Sequence, residues 1–187
     1  METNLKPGFF DELAGRIAAN PGFQKDLDDL KKLYLLPHNL SNNFLENIDF
    51  VKRLAETTGV LERSENAEYK KLALEIATLL VESGNIKEEF PGVEGVLKII
   101  SSRLGNIPAI RLISSVPINL PRTLEAETED AKLENTLRIY GANIEVTNFQ
   151  KQVLMDLSSK NSLSISAPTS GGKSFIIKRY VAELLLK

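Results

Sequence analysis

Cysteine is absent from the 187 residues, which excludes a disulfide framework and any thiolate metal site. Histidine occurs once, at His38 beside Pro37. A Ser-His-Asp relay or a zinc site therefore lacks partners, and His38 reads as a surface or capping residue. No apolar run approaches the roughly 20 residues that cross a bilayer. The N-terminal METNLKPGFFDELAG has no basic region followed by a long apolar stretch, so a signal peptide is not expected and the expected compartment is the cytoplasm. A net basic charge is also missing. Residues 1–130 hold 15 Lys/Arg against 21 Asp/Glu, a net of −6, and residues 131–187 hold 8 against 4, a net of +4. The long acidic part gives no electrostatic reason to bind nucleic acid by itself, whereas the short basic part suits phosphate ligands.

What is present is first of all helical periodicity. Phe9, Phe10, Leu13, Ile17 and Ala18 share a face behind Pro7-Gly8, and Asn20-Pro21-Gly22 stops that element. Phe23, Leu27, Leu30 and Leu33 form a second stripe that ends before Pro37. Ser41 is the expected N-cap of a third helix carrying Phe44, Leu45, Ile48, Val51 and Leu54, with Gly59 near its end. Ser64 is the expected cap of the longest, with Tyr69, Leu72, Ala73, Ile76, Leu79 and Leu80 on its buried side and Gly84 beyond it. Pro91-Gly92 opens another, with Val93, Val96, Leu97, Ile100 and Leu104 before Gly105, and a shorter one follows from Pro108 to Val116. These stripes predict a bundle of five or six helices over residues 1–120. No repeat at a fixed period supports a solenoid instead. Pro117 and Pro121 mark a connector, and the acidic run Glu125 to Asp130 starts a linking helix or an exposed turn within 121–140 rather than a metal site.

Residues 141–187 carry the chemistry. Leu163 to Ser166 has the character of a short strand, the loop from Ala167 to Ser174 is made of small residues, and Phe175, Ile176, Ile177, Val181, Leu184 and Leu185 fall at helical spacing. Strand, small-residue loop and helix are the context of a phosphate-cradling P-loop. Backbone N–H groups and the helix dipole favour an anion there, and Gly171 and Gly172 let the backbone approach it without a Cβ in the way. Thr169 and Ser170 belong to the same cradle. Lys173 supplies a point charge for the β/γ-phosphates, and Ser174 a hydroxyl for Mg²⁺. Ala167 stands where G-x-x-x-x-G-K-[ST] has its first glycine. Upstream, Thr147 is a candidate N-cap with Gln150 three residues on, as in a capping box, followed by Phe149, Val153, Leu154 and Leu157 on one helical face.

The string APTSGGKS after an apolar strand resembles motif I of superfamily 2 (DEAD/DEAH-box-like) helicases and translocases, where alanine at the first position is usual. Gln150, 17 residues before Ala167 and 23 before Lys173, resembles the Q-motif glutamine of DEAD-box proteins. That glutamine reads adenine, for which an amide offers a donor beside an acceptor. Thr147 matches the small polar residue often found before it. Gln152 is a competing glutamine, and Tyr140 is a poor match for the family's upstream aromatic. The resemblance covers residues 141–187 alone. It implies a mainly α chain: an N-terminal helical bundle, then the beginning of an α/β recA-like domain in the order helix, strand, P-loop, helix. It also implies ATP and Mg²⁺ as ligands, held by Gln150, Ala167, Thr169, Ser170, Gly171, Gly172, Lys173 and Ser174, and nucleic acid as the parent protein's partner. The helical domain would then face a protein partner or regulate the motor. No Asp-Glu strand follows the loop, so no catalytic residue is assigned, and the chain reads as an N-terminal piece of a longer ATP hydrolase that is itself inactive. Two readings stay open beside this one: a P-loop NTPase of another class, and a helical interaction module in which the GGKS turn is incidental.

Overall fold

A computed structural model describes residues 8–35, 48–82, 91–113, 120–139, 141–159, 162–165 and 172–185, with backbone alone for Ile48, Pro91 and Glu183. The described residues form a mainly helical protein with one small sheet. The helices are α1 Phe9–Ala18, α2 Pro21–Leu35, α3 Ile48–Leu61, α4 Ala67–Glu82, α5 Pro91–Arg103, α6 Ile107–Ile113, α7 Arg122–Glu134, α8 Asn148–Ser159 and α9 Lys173–Leu185. Strands β1 (Thr136–Ile139) and β2 (Ala142–Glu145) lie between α7 and α8.

Among the described residues, α1 to α6 precede the connector, where the apolar stripes predict five or six helices. All four residues of the α2 stripe, Phe23, Leu27, Leu30 and Leu33, are buried. They pack in one cluster with Val51 and Leu54 of α3, Ile76 and Leu80 of α4, and Leu97 and Ile100 of α5. The punctuation works through caps. Asn20 Oδ1 accepts from the N–H groups of Gly22 (2.8 Å) and Phe23 (3.2 Å), so the residue that stops α1 also starts α2, with Pro21 at its first position. Pro91 likewise opens α5.

One cap differs from expectation. The residue that caps α4 is Asn66, whose Oδ1 accepts from Glu68 N–H at 2.9 Å. Ser64 lies two residues earlier, fully buried, with its hydroxyl on the Asp11 carboxylate and its oxygen accepting from Asn66 N–H. Asn66 directly precedes Ala67 and so holds the N-cap position, while Ser64 ties the turn to α1. The expected cap Ser41, with Phe44 and Leu45, lies outside the described residues, as do Pro37, His38, Gly84, Val116 and Pro117.

The connector 121–140 divides into α7 and β1. The acidic run is the interior of α7, not an isolated turn. Strands β1 and β2 form an antiparallel hairpin that pairs Thr136 with Glu145 and Ile139 with Ala142, with Gly141 at φ 75° in its turn. A second cluster forms beneath it from Ile139, Val146, Val153, Leu154 and Ile176. Leu163 and Ile165 pack against this cluster while Ser162 and Ser164 face outward, which is the side-chain alternation of a strand. Residues 162–165 nevertheless form no ladder. A strand needs a hydrogen-bonded neighbour, and among the described residues the sheet holds β1 and β2 alone. Ser166 lies outside them.

Candidate functional site

The expected capping box is present. Thr147 Oγ1 accepts from Gln150 N–H at 3.1 Å, and Gln150 Oε1 accepts from Thr147 N–H at 3.0 Å. Each residue thereby satisfies a backbone or side-chain group of the other, and the glutamine is locked in one rotamer at the start of α8. Its competitor Gln152 instead donates to Asp156 Oδ1 at 3.2 Å on the exposed side of the helix. The structure thus separates the two glutamines: Gln150 is half-buried and Gln152 is exposed.

The Gln150 amide faces the start of α9. Gly172, the residue before α9, has φ 72°, and a Cβ placed on it would stand 2.5 Å from Gln150 Nε2. Two independent demands therefore call for glycine here: a left-handed backbone and the close approach of the glutamine. Gly172 C=O accepts from Ile176 N–H at 3.1 Å, closing the first turn of α9. The N–H groups of Lys173, Ser174 and Phe175 precede that bond, and in any helix such groups point out along the axis with the positive end of the dipole. Lys173 is half-buried and Ser174 exposed. Further along, the helix pair is fixed by Tyr180, whose hydroxyl donates to Leu157 C=O at 2.9 Å, while Ile176 in the first turn of α9 is buried in the cluster it shares with α8.

Of the expected ligand-binding residues, Gln150, Gly172, Lys173 and Ser174 gather at this junction. Ala167, Thr169, Ser170 and Gly171 lie outside the described residues, as does Tyr140. The junction holds the Gln150 amide beside a glycine-bounded helix N-terminus. For a metal ion, no group of three or more His, Asp or Glu among the described residues is placed to hold one. None of their helices is long and apolar enough to cross a membrane.

The site also has an unforeseen neighbour in the helical unit. The turn after α5 bonds Asn106 N–H to Ser101 C=O (2.7 Å) and Gly105 N–H to Ser102 C=O (3.0 Å), with Gly105 at φ 67°. This is the paired closure of a glycine-ended helix. Gly105 C=O then accepts from Asn148 N–H at 3.0 Å, and Asn106 bridges Thr147 in antiparallel fashion. The sequence signalled the Gly105 stop, but not the partner it meets. A cleft of about 630 Å³ lies elsewhere, lined by Leu13, Arg16, Ile17, Phe23 and Arg53 among others. Arg53 is engaged there with Asp26 at 3.0 and 3.1 Å, and Gln150 is not part of that cleft.

No family model, curated protein or solved structure matches this chain.

Proposed function

We propose that residues 141–187 bind the adenine nucleotide of an ATP-dependent nucleic-acid helicase or translocase of the superfamily 2 kind, and that the helical unit is that motor's accessory domain. The observation that carries this reading is the contact between Gln150 and Gly172. A glutamine chosen by its spacing from a GKS loop lies against the glycine of that loop, held there by a capping box. On this reading Gln150 meets the adenine edge, and Gly172, with Ala167, Thr169, Ser170 and Gly171, forms the phosphate cradle. Lys173 pairs with the β/γ-phosphates, and Ser174 offers its hydroxyl to a nucleotide-bound Mg²⁺. Bound Mg·ATP would supply the energy of movement on DNA or RNA.

The test is calorimetric titration of the chain with ATP and Mg²⁺. Saturable binding that is lost in Lys173→Ala and weakened in Gln150→Ala supports the proposal. Binding that survives Lys173→Ala, or none at all, removes it and leaves the helical interaction module as the better account. Binding that needs Lys173 but ignores both Gln150 and the identity of the base favours a P-loop NTPase of another class.

A further inference from the structure

We propose that the Gly105 turn of the helical unit is a positioning element for Gln150, through which the helical unit sets the preference of the nucleotide site for adenine; this rests on the nucleotide reading above. The contacts form an unbroken relay. Gly105 C=O takes the N–H of Asn148, and Asn106 bridges Thr147. Thr147 in turn trades two hydrogen bonds with Gln150, whose amide abuts Gly172. Each link is a directional bond to backbone or a close contact with it, so a displacement at the turn passes to the glutamine rather than being absorbed by a flexible side chain.

The fit at the turn is tight in a way that makes it addressable. A Cβ on Gly105 would stand 2.0 Å from Asn148 Cγ, and no rotation of Gly105 itself relieves that overlap. Gly105→Ala therefore has to displace the Asn148 side chain at the first residue of α8. Gly8 and Gly141 also have positive φ, at 80° and 75°, but a Cβ there meets nothing within 4 Å. Gly8→Ala thus imposes comparable backbone strain without the push, and serves as a matched control.

Gln150 offers a base its Nε2 donor and the second lone pair of Oε1, the first accepting from Thr147 N–H, and two hydrogen bonds of ordinary net strength distinguish adenine from guanine by about tenfold. A phosphate chain carries no base, so its binding makes no use of that choice. The chain and its Gly105→Ala, Gly8→Ala, Asn148→Ala and Gly105→Ala/Asn148→Ala variants are titrated with ATP, GTP and inorganic tripolyphosphate, with Lys173→Ala as the binding control. The expected result is that Gly105→Ala loses most of the roughly tenfold adenine preference while tripolyphosphate affinity holds. Gly8→Ala should keep the preference, and Asn148→Ala should restore it in the double variant by removing the amide that the new Cβ strikes. Equal weakening of all three ligands by Gly105→Ala, or an unchanged ATP-to-GTP ratio, overturns the inference while leaving the nucleotide reading intact. Ligand binding indifferent to Lys173 overturns both.

Discussion

The helical unit and the segment that follows it solve the problem of burial differently. In α1 to α6 nineteen apolar residues join one buried cluster, and eight of the largest side chains there, including Leu30, Leu54 and Ile76, are essentially inaccessible. Each amphipathic helix supplies a stripe and receives a partner. Beneath the hairpin, α8 and α9, five residues are buried, and the outer face of α9 shows Ile177, Val181, Leu184 and Leu185 between 46% and 80% exposed. What that second region does hold firmly is polar: the capping box, the Gly172 contact and the Tyr180 bond. The first region is organised by area removed from water, the second by a few directional bonds that place particular groups. A scaffold and a site differ in this way, since packing tolerates hydrophobic exchange better than a positioned amide tolerates a shift of an ångström.

The largest expected effect tests the scaffold half of that contrast. Leu54→Ala, at a fully buried position, should cost about 3–4 kcal/mol in urea unfolding, within the range for a leucine truncated in a packed core. In the second region, neighbouring residues on α9 should diverge. Ile176→Ala, fully buried but in a thin cluster, should cost about 2 kcal/mol, and Ile177→Ala, half exposed, less than about 0.5 kcal/mol. Equal costs at 176 and 177 would mean that the outer face of α9 is covered in solution, and the contrast between the two regions would fail.

These differences track what could be foreseen. The helices of the first unit were legible because each stripe repeats over three or four turns and is punctuated by Pro, Gly or Asn. Gln150 was legible because a capping box is a local pattern. The hairpin is not legible in the same way: Leu137, Ile139, Ile144 and Val146 alternate around Gly141 with period two, but four-residue strands give a weak signal behind the acidic helix that precedes them. The strand character of Leu163 and Ile165 was legible in their alternation, whereas ladder formation depends on a neighbour that no local pattern specifies. The Gly105–Asn148 clasp was not legible at all, because it joins backbone groups about 40 residues apart whose meeting is decided by tertiary packing.

A smaller effect probes how the two regions are joined. Arg103 reaches from α5 to Glu62, in the turn just after α3 (2.8 Å), and, with two bonds of 2.6 and 3.2 Å, to Glu127 in α7. Both carboxylates raise the basicity of its guanidinium, Glu127 most, and Glu127 is itself held below the usual carboxylate range by the same pair. Arg103→Ala leaves the buried Glu62 only the longer contact to Arg63, at 3.7 Å. The expected cost is about 2 kcal/mol, less than for a fully enclosed pair because Arg103 and Glu127 retain contact with water. Double substitution with Glu62→Gln should recover part of it. Below this comes Thr147→Ala, with an expected loss of about 1 kcal/mol for a missing N-cap. The loss should be seen in the thermal unfolding of the second region more than the first.

The smallest effect is one of pH and belongs to the scaffold. Asp11 of α1 accepts from the Ser64 hydroxyl and from the N–H groups of Glu65 (2.9 Å) and, at a longer 3.4 Å, Asn66, just ahead of α4. The Ser64 bond chiefly, with the two backbone bonds and Lys70 assisting, holds this carboxyl below its ordinary 3.8. A carboxyl depressed in the folded state binds its proton more readily when unfolded, so its contribution is present above the unfolded value and fades as pH falls through the folded one. The stability lead of the wild type over Asp11→Asn should therefore be constant from pH 7 to 5, narrow below about pH 4, and vanish at more acid pH. Ser64→Ala should shift that narrowing to higher pH. Parallel curves for wild type and Asp11→Asn down to pH 3 would show that the contact is carried by shape and neutral hydrogen bonding. The polar bonds of the scaffold would then be doing the same kind of positioning as those of the site, and the distinction between the two regions would rest on buried area alone.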